Sequence, residues 1–304
     1  MSVNQNPETK RTVLSAQGLS KSYGQHYALN NASFNIKQGQ IVGLIGPNGA
    51  GKTTALKAIL GLTNYDGSLS VMGLDPYKDR AKLMENVCFI ADVAVLPRWM
   101  KVAQAIEFVE KVHPKFDRNK AEHFLAKTNI QKSSKIKSLS KGMVTQLHLA
   151  LVMAIDVKLL ILDEPTLGLD ILYRKEFYSQ LLNDYFDDDK TILITTHQVE
   201  EVEHILSHLL FIDKGRIVLD ESMEDIATEY AEVLVAPDNY SEAEKYAPVH
   251  HSEVFGRRAY LYKGVALDVL QQLGEVRTPG VADLFVAIMQ NERLSGSYQQ
   301  GVAA

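Results

Sequence analysis

Residues 46–54 read GPNGAGKTT, directly after the apolar run IVGLI and two residues before the helix-like LKAILGL. Small residues at this spacing let successive backbone N–H groups close around phosphate oxygens at a helix N-terminus, where the helix dipole favours negative charge. Gly46, Pro47, Asn48, Gly49, Ala50, Gly51, Lys52, Thr53 and Thr54 therefore read as a cradle for a nucleoside triphosphate. Lys52 would reach the β and γ phosphates and Thr53 would ligate Mg²⁺. A second constellation, LLILDEP at 159–165, brings Asp163 and Glu164 to the end of an apolar strand. Ligand sites of open α/β sheets lie at that edge. There Asp163 would hold Mg²⁺ through its water shell, and Glu164 would orient and deprotonate the water that attacks the γ phosphorus.

Three further pieces follow in order. Leu139, Ser140, Lys141, Gly142 and Met143 open a helix with a hydroxyl and a glycine where backbone N–H groups can receive phosphate. TLGLD, ending in Asp170, follows the acidic pair after Pro165, and His197 ends the apolar run that begins at Thr191.

Strands must carry these residues. Residues 13–19 and 32–36 read as the opening strands, and 41–45 as the strand leading into the cradle. From 100 to 155 the periodicity becomes helical, within an inserted subdomain of about 93–155, with Ile106, Val109, Phe124, Leu125, Leu147, Leu151 and Ala154 spaced for buried stripes and Asp117 placed to cap a helix. Strand character returns at 159–162, 191–196 and 209–219. The first two of these are apolar on both faces, which suits a covered parallel sheet, and the Gly215-Arg216 turn suggests a closing hairpin. The fold class expected is α/β: a P-loop NTPase with a mixed core sheet, an N-terminal antiparallel β subdomain and an inserted α-helical subdomain. Residues 13–220 would form this unit. Residues 221–304 would form a small C-terminal α+β extension with strands at 232–235 and 258–262, helices near 265–273 and 281–289, a polar stretch to His251, and a disordered tail from 295.

Composition narrows the partners. In 304 residues, 32 Lys and Arg face 37 Asp and Glu, and the net charge of -5 supplies no general field for holding nucleic acid. Cys88 is the single cysteine, so neither an internal disulfide nor a multi-cysteine metal site can form, and a reducing cytoplasm fits. The N-terminus has no signal-peptide core, and the longest apolar run, 149–155, is far shorter than a bilayer span. Any action on a membrane would need a separate spanning partner.

Together, the motifs resemble the nucleotide-binding subunit of an ATP-binding cassette (ABC) transporter over about residues 13–220, in its drug- and polysaccharide-exporter-like branch. The resemblance implies that residues 46–54 are Walker A, and that 159–164 are Walker B with Glu164 as the catalytic glutamate. It implies that Ser140 and Gly142 belong to the signature sequence, that Asp170 lies in the loop crossing a dimer interface, and that His197 is the switch histidine contacting the γ phosphate. Tyr23, in KSYG, resembles the aromatic that stacks on adenine. The signature reads LSKGM where the broad pattern is LSGGQ. Where the family has a Gln, FIADVAVLP offers Asp92 as a further Mg²⁺ ligand, shorter and negatively charged. Residues 93–102, with Pro97, Arg98 and Trp99, are read as part of a docking surface, the competing reading being that Trp99 is core.

The implied function is an ATPase that dimerises around two Mg-ATP, as a homodimer or with a sister cassette. It would drive separately encoded permease subunits from the cytoplasmic face of the inner or plasma membrane, in the direction of export. The alternative is a soluble cassette ATPase acting on nucleic acid or ribosomes. A P-loop kinase or GTPase leaves LSKGM, DEPTLGLD and TTH unexplained. Asp187, Asp188 and Asp189 read as a solvated turn, and His250 and His251 as surface residues.

Overall fold

The computed structural model describes residues 10–91 and 96–300, with side chains described to residue 291. Two long strands, β1 (Thr12–Tyr23) and β2 (His26–Lys37), precede β3 (Ile41–Ile45) and α1 (Lys52–Ile59). Then come β4 (Asp66–Val71), α2 (Arg80–Met84) and β5 (Val87–Ile90), followed by helices α3 (Val102–Val112), α4 (Arg118–Ala126) and α5 (Lys141–Met153). The chain returns through β6 (Leu159–Asp163), α6 (Ile171–Gln180), β7 (Thr191–Thr196), α7 (Val199–Val202), β8 (His208–Asp213) and β9 (Arg216–Ser222). It ends in α8 (Met223–Glu229), β10 (Tyr230–Val235), α9 (Tyr240–Glu244), β11 (His250–Val254), β12 (Arg257–Lys263), α10 (Leu267–Leu270), β13 (Gly274–Arg277) and α11 (Val281–Gln300).

The central sheet runs in the order β5-β6-β7-β3-β8-β9, parallel throughout except for β9, which turns back on β8. Lys214 and Gly215 both take positive φ, 46° and 77°, in that turn, the twist that a two-residue hairpin requires. Successive side chains of a strand point to opposite faces. Accordingly Val42, Leu44, Leu159, Ile161, Leu193 and Leu210 pack beneath α1 and the antiparallel sheet β2-β1-β4. Ile45, Leu160, Leu162, Ile194 and Phe211 pack on the other face against α5 and α6. Both faces are covered, which is why β3, β6 and β7 are apolar without alternation.

This topology positions the site. In register, Ile45 lies beside Thr196 and Asp163 beside Thr195. The C-terminal ends of β3, β6 and β7 are therefore flush, and the residues that follow, Gly46, Glu164 and His197, leave one edge together.

The C-terminal region forms a second antiparallel sheet, β11-β12-β10-β13, with its own core of Val233, Val235, Tyr260, Tyr262 and Leu270. Three details differ from the sequence-based expectation. His250 and His251 belong to β11, an edge strand whose polar faces carry no alternating apolar signal. The helix expected over 265–273 is confined to Leu267–Leu270, because Leu273 leads into β13. The tail expected to be irregular from 295 continues α11 as far as Gln300. Once the packed part of a helix has nucleated, each further residue needs only one more hydrogen bond.

Helix α11 lies against edge strand β11 of the small sheet and reaches past it into the main core. Val281, Leu284, Ala287 and Met289 join the main core, and Phe285 stands edge-on to Phe211 of β8 with ring centroids 5.2 Å apart. The Val281 amide donates to Glu203 Oε1, 3.1 Å away, in the turn that follows α7. Leu284 is fully buried, so Leu284→Ala is expected to cost about 2–5 kcal/mol by transfer loss and cavity formation. The check is thermal or urea unfolding followed on the nucleotide-binding unit. An unchanged midpoint would mean that α11 is an ornament to that unit.

Cys88 is buried in β5, and burial pushes its thiol up to about 12 from an ordinary value near 9. Folded protein at pH 8 is expected to resist a thiol-disulfide reagent that labels the guanidinium-unfolded chain at once. Because the folded thiol holds its proton longer than the unfolded one, its contribution to stability is complete below about pH 8.5 and is lost as pH rises towards 12. Rapid stoichiometric labelling of native protein would contradict this.

Candidate functional site

Strand β3 delivers the chain at Gly46, and α1 receives it at Lys52. A Cβ at Gly46 would sit 2.3 Å from the Ile212 carbonyl oxygen, and one at Gly51 would sit 2.4 Å from that of Ala28. The loop is thus pressed against the backbones of β8 and β2, and only glycine fits at either end. Gly51 is also the helix N-cap with φ 114°, and no side chain caps the first turn of α1. Its leading N–H groups are left for a ligand, at the positive end of the helix dipole.

Lys52 is buried and turns its ammonium onto its own loop, donating to the Gly46 carbonyl at 2.6 Å and the Pro47 carbonyl at 3.3 Å. Burial lowers its pKa, while the negative charges of Glu164 and Asp163 pull it back up. A buried cation under this strain is stabilised by any anion entering the loop. The surrounding cleft, about 370 Å³, is lined by Tyr23, His26, Ala28, Pro47, Asn48, Gly49, Ala50, Gly51, Lys52, Thr53, Thr54, Asp163 and Glu164.

Asp163 ends β6, buried, and accepts a hydrogen bond from the Thr195 hydroxyl of β7. Glu164 follows with φ 48°, a left-handed backbone that costs a residue with a side chain about 1–3 kcal/mol, and its amide donates to the Thr195 carbonyl at 3.0 Å. Its carboxylate Oε1 lies 2.9 Å from His197 Nδ1. The strained turn thus delivers the acid to the histidine that closes β7.

Ser140 caps α5, its hydroxyl accepting from the Met143 amide at 3.2 Å, and Asp170 caps α6, accepting from the amides of Leu172 at 3.0 Å and Tyr173 at 3.1 Å. The two segments touch: a Cβ on Gly142 would lie 3.3 Å from the Gly168 carbonyl. Ser140 and Asp170 are exposed, with solvent-facing Ile171 and Leu172 beside them. Ser140, Gly142 and Asp170 do not line the cleft of their own chain. Tyr23 ends β1 at the mouth of the cleft, 51% exposed. Trp99 is 70% exposed, which rules out the reading that made it core. Asp92, with 93–95 of the proposed docking stretch, lies outside the described residues.

The residues that sequence reasoning missed are those acting at a distance. His26 sits in no motif, and Thr195, though part of TTH, gets its role beside Asp163 only from the strand register, as His26 does from the β1-β2 hairpin. Arg174 on α6 donates to the Leu169 carbonyl at 2.8 Å and to Gln198 Oε1 at 2.9 Å.

Comparison with known proteins agrees with this geometry. The family model described as ABC transporter matches residues 29–167. The Nod factor export ATP-binding protein I of Burkholderia lata is 32% identical over 264 residues, covering 81% of this chain and 84% of that protein. The lantibiotic transport ATP-binding protein SrtF of Streptococcus pyogenes is 32% identical over 225 residues, covering 70% of this chain and 92% of its own length. A solved structure described as the ATP binding subunit of an ABC transporter superposes with a TM-score of 0.63 at 25% identity, covering 71% of this chain and 92% of that one. Identity at this level across most of both sequences goes beyond a shared fold, and the chain belongs to the ABC transporter family as one of its ATP-binding, ATP-hydrolysing subunits.

Proposed function

We propose that this chain powers an exporter from the cytoplasmic face of the membrane, as a cassette that pairs with a second copy or a sister cassette around two Mg-ATP and drives separately encoded permease subunits. The observation that carries the reading is the flush ending of β3, β6 and β7, which gathers Lys52, Asp163, Glu164 and His197 at one edge. Ser140, Gly142 and Asp170 stand outside the cleft of their own chain. Export follows from the printed roles of the relatives in Nod factor export and lantibiotic transport. Among the described residues no helix is long and apolar enough to cross a membrane, so the spanning part is assigned to the partner.

In this reading Lys52 and the first N–H groups of α1 hold the β and γ phosphates, and Tyr23 stacks on adenine. Thr53 and Asp163 would hold Mg²⁺, a hard ion that takes oxygen ligands. Bound there, Mg²⁺ offsets charge on the phosphates. Glu164 orients the attacking water and receives its proton, while His197 fixes the carboxylate and reaches the γ phosphate. Ser140 and Gly142 of the opposite cassette close the pocket, so ATP holds two copies together and phosphate loss releases them.

The test is affinity purification of the tagged chain from detergent-solubilised cells. Recovery of a polytopic membrane protein, with ATPase activity altered by its presence, is expected. Salt-sensitive recovery of ribosomes or nucleic acid, with no membrane protein, would instead establish the soluble alternative.

A further inference from the structure

We infer that Arg174 is a positioning residue that locks the His197 segment to the loop preceding Asp170, so that the histidine is set in place only while that loop is. The inference rests on the reading of His197 given above. Arg174 lies one turn into α6, its amide donating to the carbonyl of the capping residue Asp170 at 3.0 Å. Its guanidinium bridges two loops. Nε donates to the Leu169 carbonyl at 2.8 Å, immediately before Asp170, and Nη1 donates to Gln198 Oε1 at 2.9 Å and to the Glu201 carboxylate.

Gln198 directly follows His197, and its amide is already held by the Thr196 hydroxyl at 2.9 Å. With its backbone tied to β7 and its side chain to Arg174, Gln198 has little freedom to let His197 turn away from Glu164. On the other side, the loop that ends at Leu169 packs on the segment containing Gly142 through Gly168. One planar fork of donors thus reads the loop on the exposed side of the cassette and the histidine on the cleft side. Arginine suits this place because its donors diverge in a fixed plane and stay charged, whereas a lysine ammonium is a single point that cannot span three acceptors. The Arg174 side chain is 21% exposed and that of Glu201 27%, and the second Glu201 oxygen is buried with no hydrogen-bond partner. The pair is thus engaged through one carboxylate oxygen and shielded from most of the solvent that weakens surface ion pairs.

The test compares steady-state ATPase kinetics of the full chain in its transporter complex for wild type, R174A, R174K, H197A and the H197A/R174A double variant, with binding of a fluorescent ATP analogue measured alongside. R174A is expected to lower kcat about tenfold or more while KM and analogue binding stay within about twofold, since the lost bonds are charge-assisted and remote from the phosphates. R174K should recover little of this. In the H197A background R174A should cause no further loss. Equal losses in both backgrounds, an unchanged kcat, or a raised KM with kcat intact would each overturn the inference. Full turnover by H197A would remove the reading of the histidine itself and this inference with it, an outcome distinct from additive losses. If R174A does not fold, E201Q on the same two backgrounds supplies the comparison, since it weakens the same anchor while keeping its shape.

Discussion

Glu164→Gln is expected to bind ATP at least as well as the parent chain while hydrolysing it about 10²–10⁴-fold more slowly, the range that a positioned general base contributes. The substitution keeps shape, so the left-handed turn and the 2.9 Å approach to His197 Nδ1 can survive it. It removes only the ability to take a proton. Because ATP is anionic, losing a carboxylate from the cleft relieves like-charge repulsion and gives no reason for weaker binding. The pair of measurements is equilibrium binding of a fluorescent ATP analogue and phosphate release in single turnover. Rapid hydrolysis by this variant would assign the proton transfer to some other group.

Lys52→Ala acts on the opposite property. The ammonium is buried inside the loop with the Gly46 and Pro47 carbonyls as its present acceptors, and burial disfavours its charge. Phosphate oxygens would add countercharge to that of Glu164 and Asp163. A hydrogen bond to a charged group is worth about 1.5–3 kcal/mol, so ATP affinity should fall roughly 10- to 150-fold. Calorimetric titration of Mg-ATP into wild type and variant reads the change. Equal affinities would show that the cradle does not grip phosphate through this side chain. The two variants divide the site cleanly, one losing chemistry with binding intact and the other losing binding.

Much of this site was legible in the sequence because its chemistry needs particular residue types at short, fixed spacing. Gly46, Gly51 and Lys52 fall within seven consecutive residues, and Asp163 and Glu164 are adjacent. The strands β3, β6 and β7 are equally legible, since a strand covered on both faces is apolar throughout. What stayed hidden depends on partners far apart in the chain. Arg174 meets Gln198 and Glu201 across 24 and 27 residues, and nothing in ILYRKEF marks it. Helix α11 has an apolar stripe that sequence can detect, but not the core it would join. Its docking on Phe211 as well as on β11 of the neighbouring sheet is a tertiary outcome. Edge strand β11 was missed for the opposite reason, because the short polar run HHSEV carries no hydrophobic period.

The sharing of each nucleotide between two cassettes is the feature on which the functional reading turns, and light scattering of purified Glu164→Gln with saturating Mg-ATP addresses it without reference to any transported compound. A doubling of mass on adding ATP, absent with ADP and absent when Lys52→Ala is combined with it, is the expected result. If the variant binds ATP yet keeps the mass of one chain, and cassettes captured from its own cells fail to join it, then Ser140 and Gly142 do not complete a neighbour's pocket.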